Sequence, residues 1–243
     1  EADTVYRQLA NQLRIMRRLD FAYGDCIDDT YAEHRAILDA IARPAEKTKP
    51  WYEYRKIFLT ERRIREGVVF WDANASVLET VAERTGVPSE VIVAIIGVET
   101  YYGRISGSYR VIDALATLAF DYPRRSAFFT RELEQFLVLA WESNKDPLAM
   151  KGSYAGAMGY GQFMPSSYRA YATSFEGGSA PDIWDDVADA ISSVGNYLKE
   201  HGWRAGDGVV VDAIVDEAKL AIFDAGLKPS LSVAELALAG VRP

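Results

Sequence analysis

The chain is poor in the residues on which several kinds of chemistry depend. Among 243 residues it has one cysteine, Cys26, and two histidines, His34 and His201. A single cysteine excludes an internal disulfide and a cysteine-built metal site. Two histidines leave little room for a Ser-His-Asp or Cys-His mechanism, and His201 stands in Lys199-Glu200-His201-Gly202, which reads as a solvated helix end. Clustered positive charge is also missing. With 27 Lys and Arg against 35 Asp and Glu, the net charge is -8, which argues against a nucleic-acid partner, since phosphate binding needs cations in excess. The longest apolar runs, such as residues 91–98, fall far short of the roughly 20 residues that cross a bilayer, so no membrane span is expected. Glu1-Ala2-Asp3 lacks the basic and apolar pattern of a signal peptide, as expected of a mature or engineered end. No repeat or low-complexity segment occurs. Catalysis must therefore rest on carboxylates, hydroxyls or amides.

What the chain does have is helical periodicity. About half of it is apolar, enough for one large or two small packed domains, and no series of alternating strands is evident, so the fold class is mainly α. Residues 4–19 carry Leu9, Leu13, Ile15 and Met16 among Arg and Gln, an amphipathic opening helix. After an irregular stretch come Trp51-Tyr52-Glu53-Tyr54-Arg55, side chains that suit either a groove or simple packing. Gly86 is a C-cap for a helix over 77–85, and Pro88 sits near the first turn of the next, which runs to about Tyr102. Short and long helices are predicted over 113–120 and 126–142, the second with Phe129, Leu133, Phe136, Leu137 and Ala140 inward. The exposed-looking pair Arg124-Arg125 stands between them. Gly152, Gly156, Gly159 and Gly161 mark 151–165 as a loop packed close to something. The last clear helix is predicted over 182–201, acidic at its start and basic at its end.

One carboxylate stands out. In Val91-Ile92-Val93-Ala94-Ile95-Ile96-Gly97-Val98-Glu99 it ends a run without another polar side chain. Helical spacing puts Glu99 on one face with Val91 and Ile95, and Tyr102 one turn on. Desolvation and the negative end of the helix dipole both raise its pKa. A protonated glutamic acid in an apolar cleft wall is what is needed to protonate a glycosidic oxygen. The alternative is a helix-end residue paired with an arginine such as Arg104. The neighbouring Tyr101-Tyr102-Gly103-Arg104, the glycine-rich loop and Gln162 add amides and hydroxyls of the kind that line a carbohydrate groove.

Six blocks resemble the lytic murein transglycosylase B family, in the same order. They are Lys49-Pro-Trp-Tyr-Glu-Tyr-Arg55, Ile95-Ile-Gly-Val-Glu-Thr-Tyr-Tyr-Gly-Arg104, Asp113-Ala-Leu-Ala-Thr-Leu118, Tyr122-Pro-Arg-Arg125, Lys151-Gly-Ser-Tyr-Ala-Gly-Ala-Met-Gly-Tyr-Gly-Gln-Phe-Met-Pro-Ser-Ser167 and Asn196-Tyr-Leu-Lys-Glu-His-Gly-Trp203. The resemblance implies a lysozyme-like helical core with a substrate groove. It implies an N-terminal helical region over 1–75 that contributes to the groove, a catalytic core over 76–208, and an unassigned tail over 209–243 without the family's final segment. It also implies a periplasmic enzyme of a Gram-negative bacterium, soluble or lipid-anchored, that cleaves peptidoglycan without water to leave 1,6-anhydromuramic acid ends. Glu99 matches the sole catalytic acid and base, while Tyr54, Arg124, Arg125, Ser153, Gln162 and Tyr197 match residues that bind the glycan strands or their stem peptides. No cofactor is implied, and cell-wall synthesis or division proteins as partners stay unidentified. A calcium-type loop of some members reads here Ser174-Phe-Glu-Gly-Gly-Ser-Ala-Pro-Asp-Ile-Trp-Asp185, without alternating oxygen ligands, so no metal is expected. A hydrolytic muramidase, with Asp113 or Asp121 as second carboxylate, and a non-catalytic peptidoglycan-binding protein are the alternatives.

Overall fold

The computed structural model describes residues 28–42, 49–178, 180–209, 213–215 and 231–242. The expected opening helix over 4–19 and Cys26 lie outside the described residues. Two compact units are present, one up to Arg204 and one from Ala205.

The first unit is built from helices α1 (Asp28–Ala42), α2 (Trp51–Tyr54), α3 (Glu61–Ala73), α4 (Ala75–Thr85), α5 (Ser89–Thr100), α6 (Val111–Asp121), α7 (Ser126–Glu142), α8 (Pro165–Tyr171) and α9 (Val187–Glu200). Their ends follow local chemistry. Thr60 caps α3 by accepting from the Arg63 N–H, and Gly86 closes α4 at φ 73°. Helix α6 is buried along most of its length, from Val111 and Ile112 through Ala114 to Ala119. That is why its sequence is apolar on more than one face. It packs against α7, whose Phe129, Leu133, Phe136, Leu139 and Ala140 are buried, while Leu137 is only partly so. Ile92 and Ile96 of α5 and Leu78 of α4 complete this core, each fully buried. Each contributes about 1.5–3 kcal/mol relative to exposure.

Between the helices lies a small piece of sheet. Strand β1 (Tyr109–Arg110) pairs antiparallel with β2 (Lys151–Gly152), Tyr109 opposite Gly152. Bridges from Gly152 to Met158 and from Met158 to Phe163 fold the glycine-rich loop back on β2. The second unit holds β3 (Ile214–Val215) antiparallel to β4 (Val241–Arg242), and α10 (Val233–Leu238), whose Ser232 and Glu235 form a reciprocal cap.

Helix α9 begins later than the expected 182. The Asp182 carboxylate accepts from the N–H groups of Trp184 and Asp185, and Asp186 accepts from Ala188 and Asp189. Two successive carboxylate-capped turns thus take up N–H groups, so the helix starts only at Val187.

Candidate active site

Glu99 lies in the last turn of α5, the most apolar helix among the described residues. The body of α5 is anchored by Ile92, Val93 and Ile96, while Glu99 itself remains open to water along one side. Burial nonetheless pushes the Glu99 carboxyl above the usual glutamate range. A carboxyl that water can reach and that the protein still desolvates favours the neutral acid. The expected competing role is absent: Arg104 bonds Glu66, and among the described residues Glu99 has no ion pair. Asp113 is held by Arg110 at 2.5 Å and Asp121 by a ring nitrogen of His34 at 3.0 Å, so neither carboxylate is unpaired.

The helix does not continue to Tyr102. It stops at Thr100, and Tyr101 and Tyr102 follow with φ 53° and 58°, two consecutive left-handed residues without glycine. Each costs of order 1–2 kcal/mol. Tyr102 therefore does not lie one turn beyond Glu99 on the same face. Its ring folds back over Gly97 and Gly67, where any added Cβ would stand 2.7 Å and 2.4 Å from ring or hydroxyl atoms. The cause is tertiary. Arg63 of α3 donates to the Gly97 carbonyl at 2.9 Å and lies 4.3 Å from the Tyr101 ring centroid, and Glu66 accepts from Arg104, whose guanidinium lies 5.3 Å from the same ring centroid. Interaction with the Tyr101 hydroxyl, first, and with Arg104 holds the Glu66 carboxyl down to about 2. Neither Arg63 nor Glu66 was singled out by sequence; their spacing on α3 was the only signal.

The glycine-rich loop closes on the same turn. Thr100 Oγ1 donates to the Tyr160 carbonyl at 2.9 Å and accepts from the Gly103 N–H at 3.1 Å. Gly103 sits at φ 83° with the Tyr160 ring where a Cβ would be. Gln162, also left-handed at φ 50°, donates through Nε2 to the carbonyls of Ser106 and Gly159 at 3.2 Å and 3.0 Å. Ser153 Oγ accepts from the N–H groups of Ala155 and Ala157, which fixes the start of the loop. Tyr197 of α9 meets Phe163 edge-on at 5.6 Å and stacks on His201 at 4.0 Å. His201 is thereby a packing partner at the exposed end of α9, as expected.

The remaining residues join less directly. Tyr54 meets Phe58 edge-on at 5.2 Å, and Phe58 lies 5.6 Å from Arg63, so Tyr54 is connected through Arg63 to the end of α5. Arg124 and Arg125 lie just past the far end of α6 from β1, roughly 16 Å along an eleven-residue helix. Both are exposed; Arg125 covers Phe128 at 4.2 Å, and among the described residues neither has an ion pair. Thus Glu99, Ser153, Gln162 and Tyr197 are tied to one loop, while the arginines stand apart as two uncompensated cations.

Sequence reasoning also missed two buried carboxylates. Glu132 accepts from the Ser166 N–H and hydroxyl, and Asp189 from the N–H groups of Phe175 and Asp182; both fix loops around the core. Lys145 Nζ meets Asp182 at 2.9 Å beside the segment compared with a calcium loop. Among the described residues no group of three or more His, Cys, Asp and Glu could hold a metal ion.

Comparison with known proteins adds direct kinship. The family model described as Transglycosylase SLT domain matches residues 5–243. Membrane-bound lytic murein transglycosylase B of Escherichia coli (strain K12) is 46% identical over 211 residues, 87% of this chain and 57% of that protein. The chain therefore spans less than two thirds of that relative. The crystal structure of soluble lytic transglycosylase SltB1 from Pseudomonas aeruginosa superposes with a TM-score of 0.82 at 47% identity, covering 97% of this chain and 80% of that one. SltB3 from the same organism, in complex with NAG-NAM-pentapeptide, gives 0.69 at 34% identity, covering 82% and 55%. These neighbours share a lysozyme-like, mainly helical fold.

Proposed function

The chain belongs to the transglycosylase SLT domain family, and from that premise we propose that it is a lytic transglycosylase cleaving the β-1,4 bond between N-acetylmuramic acid and N-acetylglucosamine in peptidoglycan. The observation that carries this reading is Glu99: a carboxyl raised by burial, reachable by water, and without a cationic partner among the described residues. Such a group donates its proton to the glycosidic oxygen as the C1–O bond breaks, and the departing sugar leaves with a hydroxyl. The carboxylate left behind then accepts the C6 hydroxyl proton of the muramic acid while that oxygen closes on C1. That Asp113 and Asp121 are each paired elsewhere supports ring closure over attack by an activated water.

Around this centre we assign glycan contacts to Tyr54, Ser153, Gln162 and Tyr197. With both Nε2 bonds of Gln162 directed to backbone carbonyls, its amide oxygen is left to accept from a sugar hydroxyl. Arg124 and Arg125 suit stem-peptide carboxylates, which they can meet by paired, charge-assisted bonds. The relative SltB3 is named in complex with a peptide-bearing disaccharide, which supports this class of substrate. A periplasmic location in a Gram-negative bacterium, soluble or lipid-anchored, accords with the relative named membrane-bound and with the absence, among the described residues, of a helix able to cross a membrane.

The test is Glu99→Gln on purified sacculi. The amide keeps the shape but cannot give and reclaim a proton, so clearing of turbidity should stop while glycan binding persists. Cleavage within about tenfold of the unmodified chain would remove Glu99 from its role, since general acid–base catalysis is worth about 10²–10⁴-fold.

A further inference from the structure

Helix α3 meets the end of α5 along one face, at positions 63, 66, 67 and 70. Arg63 bonds the Gly97 carbonyl and covers Tyr101, Glu66 takes Tyr101 and Arg104, Gly67 leaves space for Tyr102, and Phe70 lies 5.5 Å from the Tyr102 ring. Spacing of three, four and seven residues is one helical stripe. On α5 and the turn after it, these contacts fall between two residues before Glu99 and five after it. Each of the two tyrosines has a backbone that an L-residue adopts only when its surroundings force it. Of the contacts that force it, Glu66 secures the far side of the turn, since it is bonded to Arg104 beyond it and to Arg62 on its own helix at 3.0 Å and its carboxylate interacts with the Tyr101 hydroxyl, while Arg63 holds Gly97 on the near side.

Resting on the transglycosylase reading, we propose that Glu66 is a positioning residue for Glu99: by fixing Tyr101 and Arg104 to α3 it holds the left-handed turn that sets where the last turn of α5 presents its carboxyl. Glu66 does not touch the reacting atoms. The earlier part of α5 is secured by Ile92, Val93 and Ile96, so loss of Glu66 frees the final turn without unseating the helix. A displacement of the acid by about 1 Å is enough to cost on the order of 10²-fold in rate. Substrate affinity, which draws on many contacts along a groove, is affected much less.

The experiment measures kcat and KM on soluble, peptide-free glycan strands for the unmodified chain, Glu99→Gln, Glu66→Ala, Glu66→Gln and Tyr101→Phe. Glu66→Ala should lower kcat by tenfold or more with KM within about twofold, as expected when geometry rather than binding is lost. Glu66→Gln, which keeps the length and an acceptor for Tyr101 and Arg104, should recover most of that loss. Tyr101→Phe removes a single hydroxyl, preserves folding, and should give a smaller fall in kcat alone. Wild-type kcat in both Glu66→Ala and Tyr101→Phe, a rise in KM at constant kcat, or a Glu66→Gln variant no better than Ala would each overturn the proposal. If the unmodified chain itself does not cleave, the transglycosylase reading fails first and this proposal with it.

Discussion

Because burial raises the pKa of Glu99, the folded chain keeps that proton at pH values where the unfolded chain has released it. In this window the native state binds more protons, so its stability falls as pH rises from the ordinary glutamate value through the raised one. Glu99→Gln has no proton to lose. It should melt at a higher temperature than the unmodified chain at pH 7, with the gap closing near pH 4; calorimetry at the two pH values that finds a constant or reversed gap would show that Glu99 is not desolvated. Glu66 runs the opposite way. Its carboxyl is held down to about 2, so what it contributes is present above the usual carboxylate range and disappears as pH falls toward 2. Glu99 was legible because one acid closing eight residues without another polar side chain is conspicuous in any sequence. The turn after it was not. Tyrosine carries no preference for the left-handed region, and only the contacts made by Arg63, Glu66 and Gly67, far away in sequence, end the helix at Thr100 rather than at Tyr102.

At the level of elements, the glycine pattern over 151–165 foretold a close-packed loop, and the reason is steric. A Cβ on Gly156 would lie 2.4 Å from Leu115, one on Gly159 would lie 2.4 Å from the Ile183 carbonyl, and one on Gly161 would lie 2.7 Å from Phe163. What the glycines did not reveal is the partner on the other side, the α5 turn joined through Thr100, Gly103 and Ser106. Gly103 makes this junction testable. At φ 83°, with Tyr160 occupying the Cβ position, Gly103→Ala adds left-handed strain of about 1–2 kcal/mol and overpacking of about 1–3 kcal/mol. Denaturant unfolding should show a loss of at least about 2 kcal/mol from these two causes together, and turnover should fall further than stability alone explains. A variant as stable as the parent would mean that the loop and the turn are not locked together. The expected start of α9 at 182 failed for the converse reason: aspartates read as favourable helix-start charges are here turn-formers that take up N–H groups before the helix begins.

At the scale of the first unit, the glycine-rich loop meets the start of α6 through β1 and β2, while Arg124 and Arg125, which have no ion pair among the described residues, lie just past its other end. An extended substrate with a neutral sugar backbone and anionic branches fits that separation better than a small ligand does. Changing Arg124 and Arg125 together to Ala should weaken binding of peptide-bearing glycan by on the order of 2–4 kcal/mol, two charge-assisted contacts being lost, and that of bare glycan far less. Equal losses in titration calorimetry on both ligands would place the arginines against the sugars. The central claim concerns the product. On the proposed reading Glu99 is both acid and base, Asp113 and Asp121 are paired with Arg110 and His34, and attack by the C6 hydroxyl of the same sugar has the advantage of an intramolecular reaction. Sacculi should therefore be digested in oxygen-18 water and the released muropeptides weighed before and after borohydride treatment. Unlabelled, non-reducible ends lighter than hydrolytic ones by one water, about 18 mass units as ring closure requires, are the predicted result. Labelled, reducible muramic acid as the major species would show that water is the nucleophile and that the chain is a hydrolase.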